Sequence, residues 1–208
     1  MPTRSIVYID GFNLYYGAIR GSSHKWLNLE RFFRLVRQSD QIERIYYFTA
    51  LVGGPSDIRQ QTYLHALATC PLVKVILGKY KEKRILCQID GCTYPNNRRF
   101  KVPEEKRTDV NIAVQMLDDA YRDACDLSIL VSGDSDLVPG VNRIKLRFPK
   151  KRVLVYVPSR DPMRGAAVEL RASADEHRDF PLAPLAHSQF PRNIPDGSGG
   201  ILSKPAGW

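Results

Sequence analysis

The sequence predicts an α/β fold: a three-layer α/β/α sandwich with a mainly parallel central sheet and a basic β-hairpin or loop insertion. Two observations predict the sandwich and a third the insertion. Short apolar runs rich in β-branched residues recur along the chain. Between them lie longer stretches whose apolar residues follow helical spacing. The alternation breaks once, from Gly78 to about Pro103, where Lys, Arg and turn residues take over.

Taken in order, Ser5 to Ile9 reads as a buried first strand ending at Asp10-Gly11. Asn13 to Ile19 can begin a helix. Leu29, Phe32, Phe33 and Val36 mark an amphipathic helix capped near Asn28. Ile42 to Val52 is a second strand, closed by Gly53-Gly54-Pro55. Ser56, as the expected cap, opens a helix to about Ala68, and Val73 to Leu77 is a third strand. In the insertion, Asp90-Gly91 and Pro95-Asn96-Asn97 mark turns. After it, Val110, Ala113, Val114, Leu117 and Tyr121 follow the helix period. Leu127 to Val131 is a fourth strand, and Asp136 to about Leu146 a helix that tolerates Pro139 in its first turn. Val153 to Val157 is a fifth strand, and Pro162 to Ala174 suits one more helix. Residues 1–175 are expected to form the domain, with 78–103 as its insertion. From 180 to 208 there are five Pro and four Gly without apolar period, so 176–208 is expected to be a flexible tail.

Composition narrows the class. A hydrophobic share of 43% supports a core, and no apolar run reaches a membrane span of roughly 18 residues. The first residues lead directly into a strand, so no signal peptide is expected and a cytoplasmic location is. Four cysteines form no dense framework and are expected as thiols. The net charge of +9 points to a polyanionic partner, with simple solubility as the alternative.

In a parallel sheet, sites form at the carboxyl ends of strands. Asp10 ends the first strand, and Ser132, Asp134 and Asp136 follow the fourth. Asp109 opens the helix leading into the fourth strand, which places it at the same edge. Three segments therefore deliver acids to one edge of a basic chain. Such oxygen ligands suit Mg²⁺ or Mn²⁺, and a bound water can then attack a phosphate. Asn13 can hold a phosphate oxygen or orient a carboxylate, and Ser132 adds a hydroxyl. Each residue also has a plain structural reading: Asp10-Gly11 as a turn, Asp109 and Asp136 as helix-dipole acids, Asn13 and Asp134 as caps.

Three blocks carry a resemblance: Val7-Tyr8-Ile9-Asp10-Gly11-Phe12-Asn13, Glu105-Lys106-Arg107-Thr108-Asp109-Val110, and Val131-Ser132-Gly133-Asp134-Ser135-Asp136-Leu137-Val138-Pro139. In order and spacing they resemble the signature blocks of the NYN domain, the LabA-like branch of the PIN-domain-like nuclease superfamily, over roughly residues 4 to 160. The resemblance implies a PIN-like fold and a Mg²⁺-dependent ribonuclease. It implies metal-binding and catalytic roles for Asp10, Asp109, Asp134 and Asp136, and a polar site role for Asn13. Thr108 departs from the family pattern, which usually has an aliphatic residue there.

Residues 74–107 hold ten Lys or Arg against four acids, with Tyr80, Tyr94 and Phe100 among them. Cations and aromatic faces together suit single-stranded or structured RNA. A second cluster, Arg143, Lys145, Arg147, Lys150, Lys151 and Arg152, contains no acid. Lys101, Lys106, Arg143 and Arg147 are the expected phosphate contacts, and solvated basic surfaces are the alternative. Cys87 and Cys92 are spaced too widely for a usual zinc knuckle, so reduced thiols are favoured over zinc. The readings in competition are a metal-dependent ribonuclease, a non-catalytic regulator that binds RNA or protein, and a phosphatase on small substrates. Monomer and homodimer both stay open.

Overall fold

The computed structural model describes residues 2–52, 57–93, 98–159 and 167–208. The expected Gly53-Gly54-Pro55 closure, the Ser56 cap, Tyr94, the Pro95-Asn96-Asn97 turn and the start of the last helix at Pro162 lie outside them. Strand β1 (Thr3–Asp10) leads into the short helix α1 (Gly11–Leu14), which continues as a π-helical turn over Tyr15–Ile19. Next come α2 (Leu29–Val36), β2 (Asp40–Thr49), α3 (Asp57–Ala68) and β3 (Val73–Leu77). The insertion is an antiparallel hairpin, β4 (Lys79–Leu86) paired with β5 (Arg99–Lys106). Then follow α4 (Thr108–Tyr121), β6 (Leu127–Val131), a 3₁₀ turn at Ser135–Leu137, α5 (Val138–Arg147) and β7 (Arg152–Val157). The chain closes with α6 (Val168–Ser173), β8 (Glu176–Asp179), a 3₁₀ segment at Ala183–Ser188, and the small pair β9 (Asn193–Pro195) and β10 (Ile201–Ser203).

Six strands form one all-parallel sheet in the order β3-β2-β1-β6-β7-β8. The chain winds outward from β1 through β2 and β3, then returns to β1's other side with β6. The winding therefore reverses between β1 and β6, and the crevice at such a switch point is where open α/β sheets bind ligands. β1 and β6 are buried almost throughout, as strands covered on both faces must be. Alternate residues feed two cores. Val7 and Ile9 pack with α2, α3 and the C-terminal segment, while Ile6 and Tyr8 pack with α4, α5 and α6. The three-layer expectation is thus met.

Two expectations are corrected. The inward face of α4 is Ile112, Met116 and Ala120, with Ala113 and Leu117 of the expected row half-buried against the same core, while Val110, Val114 and Tyr121 lie exposed. Both rows satisfy helical spacing, and packing on the sheet selects the first. Asp109 stands three residues before Ile112, so it belongs to the sheet-facing row. The segment after 176 is also not a free tail. β8 extends the sheet beside β7, and Phe180, Leu185, Phe190 and Ile194 are buried. The Trp26 indole donates to the Pro191 carbonyl at 2.8 Å, and Trp208 packs against Trp26 and Tyr63. Isolated aromatic anchors between prolines carry no period, which is why the sequence pattern hides them.

Candidate active site

The carboxyl ends of β1 and β6 are tied together by Asp10 and Asn13. Asp10 Oδ1 accepts the backbone N–H groups of Phe12 at 3.1 Å and Asn13 at 3.0 Å, capping α1. Its Oδ2 accepts the Asn13 side-chain amide at 2.6 Å and the Ser132 hydroxyl at 3.1 Å. The Asn13 carbonyl oxygen in turn accepts Gly133 N–H at 3.1 Å. Ser132 Oγ accepts Asp134 N–H, and Asp134 Oδ1 accepts Asp136 N–H. One hydrogen-bonded chain therefore runs from the end of β1 through the end of β6 to the acids beyond it. Asp10 is 3% exposed and all four of its lone-pair directions are taken. It holds the frame. Asp134 both caps the 3₁₀ turn and keeps a second oxygen free of any hydrogen bond among the described residues, so its capping reading and its site reading are compatible.

Asp109 reaches this edge from α4. It makes no hydrogen bond or ion pair among the described residues. Its carboxyl is pushed up to about 6, first by burial and then by the charges of Asp134, Asp10, Glu105 and Asp136. Asp10 is pushed up as well, chiefly by burial, although its hydrogen bonds act in the opposite direction. The predicted acids thus share one electrostatic site. Asp134 weighs more on Asp109 than the exposed Asp136 does.

Glu105 is a fifth acid that the charge pattern alone did not single out. Its Oε1 accepts Thr108 N–H at 3.1 Å and also the Thr108 hydroxyl, fixing the start of α4. The signal was present: Glu105 stands four residues before Asp109, at the end of a strand. Gly78 permits this junction. A Cβ there would lie 2.8 Å from both the Lys106 carbonyl and Thr108 Oγ1. Arg107, at φ 81°, makes the turn from β5 into α4.

The basic residues divide. Strand alternation places Lys106 and Glu105 on opposite faces of the hairpin. Lys106 sits at the hairpin base and pairs with Glu104 at 2.9 Å. Lys101 shares the face of Glu105 but lies four residues, roughly 13 Å, farther out, and it pairs with Glu82 at 2.6 Å. Tyr80, on that same face, packs edge-on against Phe12, so the hairpin base borders the acids. Lys79, Lys81, Arg84 and Arg99 have no ion pair among the described residues. The second cluster is displaced. α5 starts at the acids and runs away from them, so Arg143 lies part-way down and Arg147 about 13 Å along the axis, at the opposite edge of the sheet. Lys151 and Arg152 lie at that opposite edge too, paired with Asp123 and Glu176. This cluster does not border the acidic site.

Oxygen donors of this kind suit a hard divalent cation, and Asp109, Asp134, Asp136 and Glu105 each keep an oxygen without a hydrogen bond among the described residues. Among the described residues, no three His, Cys, Asp or Glu side chains are gathered closely enough to hold a metal ion directly. The same holds for the cysteines. Cys87 and Cys92 hydrogen-bond each other, while Cys70 contacts Asn28 elsewhere, and all four are free thiols.

The NYN domain model matches residues 4–182. The 6-hydroxy-3-succinoylpyridine 3-monooxygenase of Pseudomonas putida is 30% identical over 240 residues, spanning 100% of this chain and 76% of that protein. A solved structure of a protein of unknown function from Vibrio parahaemolyticus aligns with TM-score 0.57 and 22% identity, covering 86% of this chain and 94% of that one. The Vibrio likeness shows the shared fold. The switch-point acids, the parallel sheet and the match over residues 4–182 together make this chain a member of the NYN domain family, within the PIN-like nuclease superfamily.

Proposed function

We propose that the protein hydrolyses RNA phosphodiester bonds at the β1/β6 edge with the help of Mg²⁺ or Mn²⁺. The observation that carries this reading is the cluster of Asp10, Asp109, Asp134, Asp136 and Glu105, none of which has an ion pair among the described residues; burial and then the neighbouring charges raise the Asp109 carboxyl to about 6. Like charges kept together need a positive partner. Since no three acids among the described residues are close enough to ligate it directly, Asp109, Asp134 and Asp136 would hold a divalent cation in part through its bound waters. Once bound, that ion would supply charge neutralisation at the phosphate and a more acidic water. Asp10, through Asn13 and Ser132, keeps the two strand ends in register. Arg84 and Arg99, on the hairpin face of Glu105, offer cations for the phosphates of a single strand.

The test is incubation of the protein with RNA and with single-stranded DNA in Mn²⁺, in Mg²⁺ and in chelator. Cleavage of RNA that stops with chelator and falls at least 100-fold in Asp109→Asn is expected. Cleavage that persists undiminished in that variant would sink the reading. No cleavage, with RNA retention intact, would favour a binding regulator.

The Pseudomonas relative supports a second reading, hydroxylation of a pyridine-like compound. Such a reaction would consume dioxygen and two electrons from a reduced cofactor. Substrate-dependent NADH oxidation, undiminished in Asp109→Asn, would favour it over hydrolysis.

A further inference from the structure

A cavity of about 380 Å³ opens beside the acids, on the α2/α3 face of the sheet. Its size is that of a small-ligand pocket. Phe12, Tyr15, Tyr47, Tyr63 and Trp208 give it aromatic walls, and Lys25 and Arg59 add two cations. We propose that this cavity binds a planar aromatic ring carrying an anionic group, supplied either by a free aromatic carboxylate or by a nucleotide.

Three features of the walls point to that chemistry. The first is Tyr47. It is 8% exposed, yet its hydroxyl makes no hydrogen bond among the described residues, whereas its neighbour Tyr63 donates to the Leu27 carbonyl at 2.9 Å. Buried hydroxyls are normally satisfied. Tyr47 lines the cavity, so its hydroxyl is open to a partner that enters there. Burial, aided by the Asp10 charge, keeps this phenol protonated, so it presents a donor. The second is charge. Lys25 is half-buried and Arg59 exposed, both line the cavity, and neither has an ion pair among the described residues. An anion is the complement missing from this wall.

The third is shape. Gly11 lets α1 close on β2, since a Cβ would lie 2.7 Å from both the Phe48 carbonyl and the Tyr47 ring. The π-helical turn that follows sets Tyr15 and Tyr16 edge to face, 5.2 Å apart, at the mouth. π-turns of this sort recur at functional sites. Trp208 forms a further wall from the C-terminal segment, packed 5.8 Å from Tyr63. Flat rings around a slot favour a flat guest, by stacking and edge contacts. Gly11 and Phe12 directly follow Asp10, so the guest would sit next to the acidic edge. The proposal does not depend on whether those acids cleave RNA.

Trp208 makes the site observable. The full chain is titrated with nicotinate and with uridine 5′-monophosphate, following tryptophan fluorescence, with nicotinamide and cyclohexanecarboxylate as controls. A saturable change with at least one of the two anions is expected. Nicotinamide, which keeps the ring without the charge, and cyclohexanecarboxylate, which keeps the charge without the flat ring, should each bind at least 10-fold more weakly than the anion that binds. Response to nicotinate alone identifies a free carboxylate, and response to the nucleotide alone identifies a nucleotide; both support the site. Lys25→Gln should weaken binding about 10-fold and Tyr47→Phe several-fold, with unchanged melting temperatures. Absence of a saturable response to either anion, a response to nicotinamide equal to that of nicotinate and the nucleotide, or affinity unaltered in Lys25→Gln would overturn the proposal. RNA cleavage by Asp109→Asn is read separately, so failure here and failure of the nuclease reading remain distinct.

Discussion

The two edges of the central sheet carry the same kinds of residue and treat them in opposite ways. At the amino edge, Asp123 and Asp126 meet Arg4, at 3.4 and 2.7 Å, and Lys151 meets Asp123 at 2.6 Å. Both carboxyls are held below the usual range, by the hydrogen bond from Lys151 in the case of Asp123 and by that from Arg4 in the case of Asp126. At the carboxyl edge, Asp10 and Asp109 have no ion pair among the described residues and both are pushed upward. The chain carries a net charge of +9, yet none of its described cations forms an ion pair with the acids of the carboxyl edge. Acids paired with cations secure the fold, whereas acids left without them are available to a ligand of opposite charge.

Substitutions at the two edges should therefore separate activity from stability. The largest effect is expected from Asp109→Asn, which should lower RNA cleavage at least 100-fold, about 3 kcal/mol in the barrier. The same change should leave the metal-free protein as stable as before or more so at neutral pH, because it removes a repelled charge. Thermal melting alongside the cleavage assay checks both. Asp10→Asn should cost about 2 kcal/mol in chemical denaturation, since an amide cannot accept from all four donors that now surround the carboxylate. It should also reduce cleavage, by loosening the join between β1 and β6.

The dependence on pH should have opposite signs at the two edges. In the folded metal-free protein Asp109 titrates at about 6, against an ordinary value of 3.8. Between these values the folded state holds a proton that the unfolded chain has lost. Stability from this group therefore falls as pH rises from about 4 to 6, and Asp109→Asn should flatten that slope. Asp126 titrates below its ordinary value. Its contribution is present above about 4 and is lost as pH falls further, so Asp126→Asn should flatten the acid limb instead. In equilibrium unfolding at neutral pH, Asp126→Asn should cost only about 0.5–1 kcal/mol and leave cleavage untouched. The smallest effect is expected from Arg107→Gly. A left-handed residue at φ 81° favours glycine, so melting should hold steady or rise by the equivalent of ~1 kcal/mol or less.

Much of this was legible in the sequence. The β-branched runs ending at Asp10 and Val131, and the helix started by Asp109, place acids from three segments at one edge once a parallel sheet is inferred. The break in alternation marked the insertion but left hairpin and loop open, and its second strand runs past Pro103 to Lys106. What stayed hidden depends on contacts made between distant segments. The inward row of α4 could not be chosen, because Val110-Val114-Tyr121, at intervals of four and seven, and Ile112-Met116-Ala120, at intervals of four, both fit the helical period. Arg147 and Lys151 follow the acidic block in sequence, but one helix carries the chain across the sheet to the other edge. The last 33 residues look unstructured because Phe180, Phe190 and Trp208 anchor to Trp26, Phe32 and Tyr63, far away in the chain. The aromatic cavity is hidden for the same reason, since its walls come from α1, β2, α3 and the C-terminal segment.

The most direct measurement is Mn²⁺ titration of the protein by calorimetry, comparing wild type, Asp126→Asn and Asp109→Asn/Asp134→Asn. Saturable binding in the millimolar range or tighter is expected for wild type and Asp126→Asn, and binding at least 10-fold weaker for the carboxyl-edge double variant. Equal Mn²⁺ binding by all three proteins would contradict the assignment of the β1/β6 edge as the cation-dependent site.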